Sequence, residues 1–420
     1  MTLPPTTPVV IAARRTPVGT AGHALAAVDV ASLVAPVLDA LAADLTGLGL
    51  PVRLRENSTN GGEVGVAVGV EAEVDTEDVA GVAGVAVDDV ILGNCLGPGG
   101  DVGRVAVLSS GLPISTPALT VDRQCGSGQE AIHLAADRVR AGAGLVLAGG
   151  AESASTAPWR LHRPRTATEP PRPYARAAFT PAEFGDPNMG PAAEEVASRH
   201  GITRERQDAY AVRSHDRTLR ARDAGVFDRE IVPVHGVTRD ERPRRMNART
   251  LARLRPAFAA GGTVTAGNSC GISDGAALVA VVPEHVRAEL GVPGLAITHQ
   301  VAVGTDPAVP GTAPVTAVRL LLERSGVTLE DVGLIETTEA FAAQTLACAD
   351  LLGLDPFGAD DDRWCPDGGA VALGHPWGAS GALLLVRLFA GMTRPGGPEL
   401  GIATCAIGGG QGLALLARRL

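Results

Sequence analysis

The stretch Val121-Asp122-Arg123-Gln124-Cys125-Gly126-Ser127-Gly128-Gln129-Glu130-Ala131 decides the reading of this chain. An apolar run ends, a cysteine follows, and small residues open an Ala-rich helical stretch. A thiol at a helix N-terminus feels the positive end of the helix dipole. That lowers its pKa and makes the nucleophilic thiolate accessible. Two further glycine-punctuated segments lie near the C-terminus. One runs Gly368 to Gly381 around Gly374-His375-Pro376, and the other runs Thr404-Cys405-Ala406-Ile407-Gly408-Gly409-Gly410-Gln411-Gly412. Together they offer a cysteine, a histidine and a second cysteine, each on a glycine-rich turn.

Outward from Cys125, strands and helices alternate. Val9 to Ala13, Val90 to Gly93, Leu119 to Val121 and Leu145 to Gly150 read as buried strands, and Val30 to Ala43 and Gln129 to Ala141 as helices. The second half repeats the grammar. Leu295 to Thr298, Leu334 to Glu336, Leu400 to Thr404 and Gly412 to Ala417 read as strands. Pro314 to Ser325, Ala340 to Leu352 and Ala379 to Ala390 read as helices. Ser127-Gly128 before one helix matches Ser380-Gly381 before another, so the halves imply an internal duplication. Such alternation favours an α/β protein with parallel or mixed sheets covered by helices. Two segments interrupt it. Residues 56–84, rich in Gly, Val and acids, read as a surface hairpin or a mobile insertion. Trp159 to Pro191 is rich in Pro and Arg.

Composition narrows the chemistry. The chain has 420 residues and a net charge of −10, which argues against nucleic acid as the main partner. It contains no lysine, which excludes Schiff-base chemistry, pyridoxal phosphate anchoring and a phosphate-loop lysine. No apolar run long enough to span a bilayer and no secretory leader is read, so no membrane partner is expected. The 6 cysteines show no metal-ligand spacing, and a reduced, cytoplasmic chain without a metal is the expectation. Cys95 and Cys348 read as plain buried residues.

The Cys125 segment, Gly149-Gly150-Ala151-Glu152-Ser153, Thr265-Ala266-Gly267-Asn268, Gly374-His375-Pro376 and the Cys405 turn follow one another in the order seen in thiolases. The chain resembles the thiolase family (acetyl-CoA acyltransferases) over nearly its whole length, with residues 56–88 and 159–184 matching poorly. The resemblance implies a five-layered α-β-α-β-α fold from two duplicated halves, with a loop domain inserted in the N-terminal half. The boundaries it implies are 1–158 (with the insertion at 56–88) for the first part of the N-terminal half, 159–256 for the loop domain over the active site, 257–291 for the rest of that half, and 292–420 for the C-terminal half.

It also implies roles. Cys125 is the acyl-accepting nucleophile, His375 takes its proton, and Cys405 is the acid/base at the substrate α-carbon. The backbone N–H groups of Cys125 and Gly408 are donors to an oxyanion. Thr338, in Thr337-Thr338-Glu339-Ala340-Phe341, stands where relatives carry the Asn or His that holds a water. A threonine there weakens or rebuilds that oxyanion site and puts the condensation step in question. Contacts to coenzyme A are assigned to Arg217, Arg220, Ser269, Cys270, Phe341 and Trp159. Cys270 replaces a common Ser, and Trp159 a common His. The Arg-rich loop, with Arg160, Arg163, Arg165, Arg172 and Arg176, suits the phosphates of coenzyme A or a solvated surface.

The leading expectation is a CoA-dependent, ping-pong acyltransferase that condenses acyl-CoAs or cleaves 3-ketoacyl-CoA. The alternatives are a specialised condensing or acyl-transfer enzyme of secondary metabolism, and a catalytically silent subunit. Coenzyme A thioesters are substrates, no cofactor is implied, and a homodimer is expected ahead of a tetramer.

Overall fold

The computed structural model describes residues 3–55 and 84–420. The insertion read at residues 56–84 falls almost wholly outside the described residues.

Strands of the first half lie in the order Pro8–Arg15, Ser273–Pro283, Val146–Ser153, Asp89–Gly93, Ala118–Val121. The last three are parallel, and Ser273–Pro283 runs antiparallel to both its neighbours. Strands of the second half follow as Leu295–Gly304, Gln411–Arg419, Leu400–Ile407, Leu334–Thr337. A two-residue pairing, Val9 to Ala296 and Val10 to Leu295, joins the two halves edge to edge.

Helices occupy three levels. Val30–Gly47 buries Leu33, Leu38, Leu41 and Leu45 against the outer face of the first half, and Ala313–Ser325 and Ala342–Leu352 cover the outer face of the second. Between the halves lie Ser127–Arg140 and Trp377–Thr393, whose buried Ala and Leu residues share one core with both sets of strands. The result is helix, sheet, helix, sheet, helix. Apolar burial on this scale, at roughly 25 cal/mol per Å², dominates the stability of each layer.

The two central helices must approach closely, and glycine permits it. A Cβ on Gly128 would lie 2.7 Å from the Gly378 carbonyl oxygen, and one on Gly381 would lie 2.6 Å from the Gln129 nitrogen. This crossing sets the Cys125 turn beside the His375 turn, although 250 residues separate them in the chain.

Two expectations are corrected. The longest strand, Ser273–Pro283, was not read as one. Its Ser-Asp-Gly-Ala-Ala start lacks β-branched residues, and burial on both faces erases the alternation that marks a half-buried strand. The helix Val30–Gly47 is also long and apolar enough to cross a bilayer, although no such run was expected. Here it packs on the sheet as a core helix.

Candidate active site

Cys125 sits on a tight turn. Gly126 N–H donates to the Arg123 carbonyl at 3.0 Å and Ser127 N–H to the Gln124 carbonyl at 2.9 Å. The Ser127 hydroxyl donates to the Gln124 carbonyl at 2.6 Å and accepts from Arg123 N–H at 2.8 Å. Gln124 is held at φ 48°, a left-handed conformation that a non-glycine residue adopts only when its surroundings impose it. Gly126 has no room for a side chain, since a Cβ there would meet Ile407 at 2.5 Å.

The thiol faces a cavity of roughly 480 Å³. His375, Ser269, Cys270, Phe341, Ala406 and Gly408 also line it. Backbone N–H groups of Gly408 and of Cys125 itself favour the thiolate. Burial nevertheless pushes the Cys125 thiol up to about 11. The sequence reading had it lowered by the helix terminus. Loss of hydration outweighs the dipole, whose contribution at a terminus is about 0.3–1 kcal/mol.

His375 follows Gly374, whose φ of 112° and 2.1 Å Cβ approach to the Ser273 hydroxyl exclude other residues. Its Nδ1 lies 2.5 Å from the Ser380 hydroxyl, which lies 3.1 Å from the Pro376 carbonyl. That carbonyl can only accept, so the serine proton goes to it. Nδ1 then donates to Ser380, which leaves the Nε2 lone pair free as a base. Burial lowers the imidazole to about 4, so it is neutral at pH 7.

Cys405 does not join them. It lies in the strand Leu400–Ile407, paired with Leu413, and its side chain is fully buried in the core between the halves. Burial pushes this thiol far up. Strand side chains alternate between faces, and the neighbour that faces the cavity is Ala406. The thiol given the acid/base role is therefore not part of the cavity wall.

Thr338 is buried behind the wall formed by Ala340 and Phe341. Its N–H donates to the Thr404 carbonyl at 3.3 Å, and its hydroxyl has no partner among the described residues. Among the proposed coenzyme A contacts, Ser269, Cys270 and Phe341 line the cavity, and Phe341 meets Phe258 edge to face at 5.9 Å. Arg217 does not line it. Its guanidinium pairs with Asp361, with Asp362 at 3.2 Å and with the Pro366 carbonyl at 2.8 Å. Arg220 is exposed and Trp159 is 92% exposed, and neither lines the cavity.

The sequence reading missed two contributors and named a third, Arg160, only among the loop arginines suited to the phosphates of coenzyme A. Cys95 lines the cavity with its sulfur 3.0 Å from the Gln124 carbonyl, and is no plain core residue. Arg160 lines it beside the outward Trp159. Glu152, whose motif had been noted without a role, accepts from the backbone N–H groups of Cys95 (3.2 Å), Leu96 (3.0 Å) and Gly378 (3.0 Å) and from the Asn94 amide (3.1 Å). That one carboxylate ties the strand end beside Cys125 to the first turn after His375.

Comparison with known proteins agrees with this architecture. Residues 64–285 match the family model of the thiolase N-terminal domain, and residues 292–419 that of the thiolase C-terminal domain. A putative acetyl-CoA C-acetyltransferase, YhfS, of Bacillus subtilis is 44% identical over 336 residues, covering 79% of this chain and 87% of that protein. The putative acetyl-CoA C-acetyltransferase VraB of Staphylococcus aureus is 43% identical over 342 residues, with 79% and 87% covered. The crystal structure of the Bacillus anthracis acetyl-CoA acetyltransferase superposes with a TM-score of 0.81 at 34% identity, over 99% of each chain. With both halves matched and the fold shared end to end, this chain belongs to the thiolase family.

Proposed function

We propose that the chain is a CoA-dependent acyltransferase that carries acyl groups on Cys125. The observation that supports this most is the meeting in one cavity of Cys125, the Gly408 backbone and an unprotonated His375. The thiol proton passes to His375 Nε2, the sulfur adds to the thioester carbonyl, and the oxyanion is held by the Gly408 and Cys125 N–H groups. Collapse breaks the original C–S bond, and the leaving thiolate takes the proton back. The reading requires no metal or redox cofactor.

Making or cleaving a carbon–carbon bond needs a second proton carrier at the substrate α-carbon. Ala406 cannot serve, and Cys405 faces the core. The thiols that do face the cavity are Cys95 and Cys270, with Cys270 pushed up to about 12 by burial. This arrangement favours a second reading, an acyltransferase in which thiol exchange outpaces condensation. Exchange of labelled CoA into acetyl-CoA, set against thiolysis of acetoacetyl-CoA, tests both. The first reading predicts exchange that vanishes in Cys125→Ala, and exchange that survives this substitution contradicts it. Exchange at least tenfold faster than thiolysis supports the second reading, and comparable rates remove it.

A homodimer is part of the proposal. The strand Ala118–Val121, just before the nucleophile turn, is a half-buried sheet edge open to a second copy. A reducing, cytoplasmic setting suits the six free cysteines.

A further inference from the structure

We propose that Arg160 selects acyl thioesters whose acyl chain ends in a carboxylate, an inference that rests on the acyltransferase reading above. Among the described residues, two guanidinium groups and no carboxylate line the cavity. Arg176 is already satisfied. It holds both Asp186 carboxylate oxygens at 3.0 Å and the Asn188 side chain at 2.8 Å, and it stacks on Phe179 with 4.4 Å to the ring centroid.

Arg160 keeps donors to spare. Its single hydrogen bond runs from Nη2 to the Cys95 carbonyl at 3.1 Å, and no carboxylate stands within ion-pair distance among the described residues. A guanidinium has five N–H donors and is always charged, so a half-buried one at the cavity wall offers an arriving anion several open donors.

Its position indicates which anion. The hairpin of Arg160–His162 and Arg172–Tyr174 carries it, with Trp159 turned outward and Arg160 turned to the cavity. Its one partner is the carbonyl of Cys95, whose sulfur touches the carbonyl of Gln124, the residue before the nucleophile. Arg160 thus lies on the Cys125 side of the cavity. The acyl group bonded to Cys125 starts on that side, and a planar carboxylate at its end matches the guanidinium fork. Ser269, Cys270 and the Phe258–Phe341 pair offer no charge to such an end.

The phosphates of coenzyme A are the other anions that could reach a guanidinium, so the test uses thioesters with and without them. Succinyl, glutaryl and adipyl thioesters of N-acetylcysteamine are compared with butyryl, valeryl and hexanoyl ones, then all six as CoA thioesters. The readout is the single-turnover rate of Cys125 acylation by intact mass. At the best chain length, the wild type is expected to favour the carboxylate-ended acyl group. Arg160→Met should lower that rate about 10–100-fold, the loss of a charged hydrogen-bond pair, while leaving the uncharged partner within about threefold. Arg160→Lys should recover part of the loss. Equal effects on both series would overturn the proposal. So would a loss seen only with CoA thioesters, which would assign Arg160 to a phosphate. Acylation of Cys125 by the uncharged thioesters alone would overturn it while leaving the acyltransferase reading intact, and no acylation by any of the six would remove both.

Discussion

Cys125 and Cys405 sit beside similar sequence, a cysteine among small residues near glycine, and the fold treats them in opposite ways. Cys125 stands on a turn that ends a strand and starts a helix, so its sulfur emerges at the seam between the two halves. Cys405 stands two residues before the end of a strand, where the two-residue period decides everything. One step along the chain, Ala406 looks into the cavity while Cys405 looks into the core. A turn displays its side chain by its own geometry, whereas a strand displays it only by parity.

The comparison can be broken most severely at the base. His375→Ala should lower the rate of Cys125 acylation by about 10²–10⁴-fold, the usual worth of a positioned general base, with the fold retained by circular dichroism. A loss under threefold would mean that His375 does not take the thiol proton.

The pH dependence sharpens it next. A thiol near 11 is roughly one part in 10⁴ thiolate at pH 7, so Cys125 alkylation by iodoacetamide should rise about tenfold per pH unit from 7 to 10. A profile that is flat above pH 7 would mean a thiol lowered by its surroundings. His375, at about 4, stays neutral across that range and adds no inflection of its own.

Glu152→Gln should destabilise the chain by about 2 kcal/mol, because the amide NH₂ must face backbone N–H donors where a carboxylate accepted them. Chemical denaturation measures it, and an unchanged midpoint would remove Glu152 as the tie between the Cys125 and His375 turns. The smallest catalytic effect is expected at Cys405→Ala. That variant should acylate Cys125 within about threefold of wild type and lose only about 1 kcal/mol of stability. A hundredfold loss of acylation in a stable protein would return Cys405 to the site.

The layered α/β architecture was legible because strand-like and helix-like segments alternate in both halves, and because the Ser-Gly pairs mark the two central helices. Ser273–Pro283 was not, since a strand buried on both faces shows no alternation and its first five residues, Ser-Asp-Gly-Ala-Ala, include none that is β-branched. The turns that carry Cys125, His375 and Gly408 were readable from glycines that turns and close approaches require. The ion pairs of Arg217 were not legible because its acids, Asp361 and Asp362, arrive from a segment far along the chain. Cys95 reaches the cavity from a loop and Arg160 from a three-residue hairpin strand, both too short to carry a periodicity. The choice between Cys405 and Ala406 depended on where the strand ends, the least readable property of any element.

The central claim is that Cys125 alone among the cavity thiols accepts the acyl group. Mixing the protein with acetyl-CoA, quenching in acid and mapping the peptides by mass tests it most directly. The account predicts one acetyl group on the peptide that contains Cys125, with Cys95, Cys270 and Cys405 unmodified. Acetylation of any of those three while Cys125 remains a free thiol would contradict it.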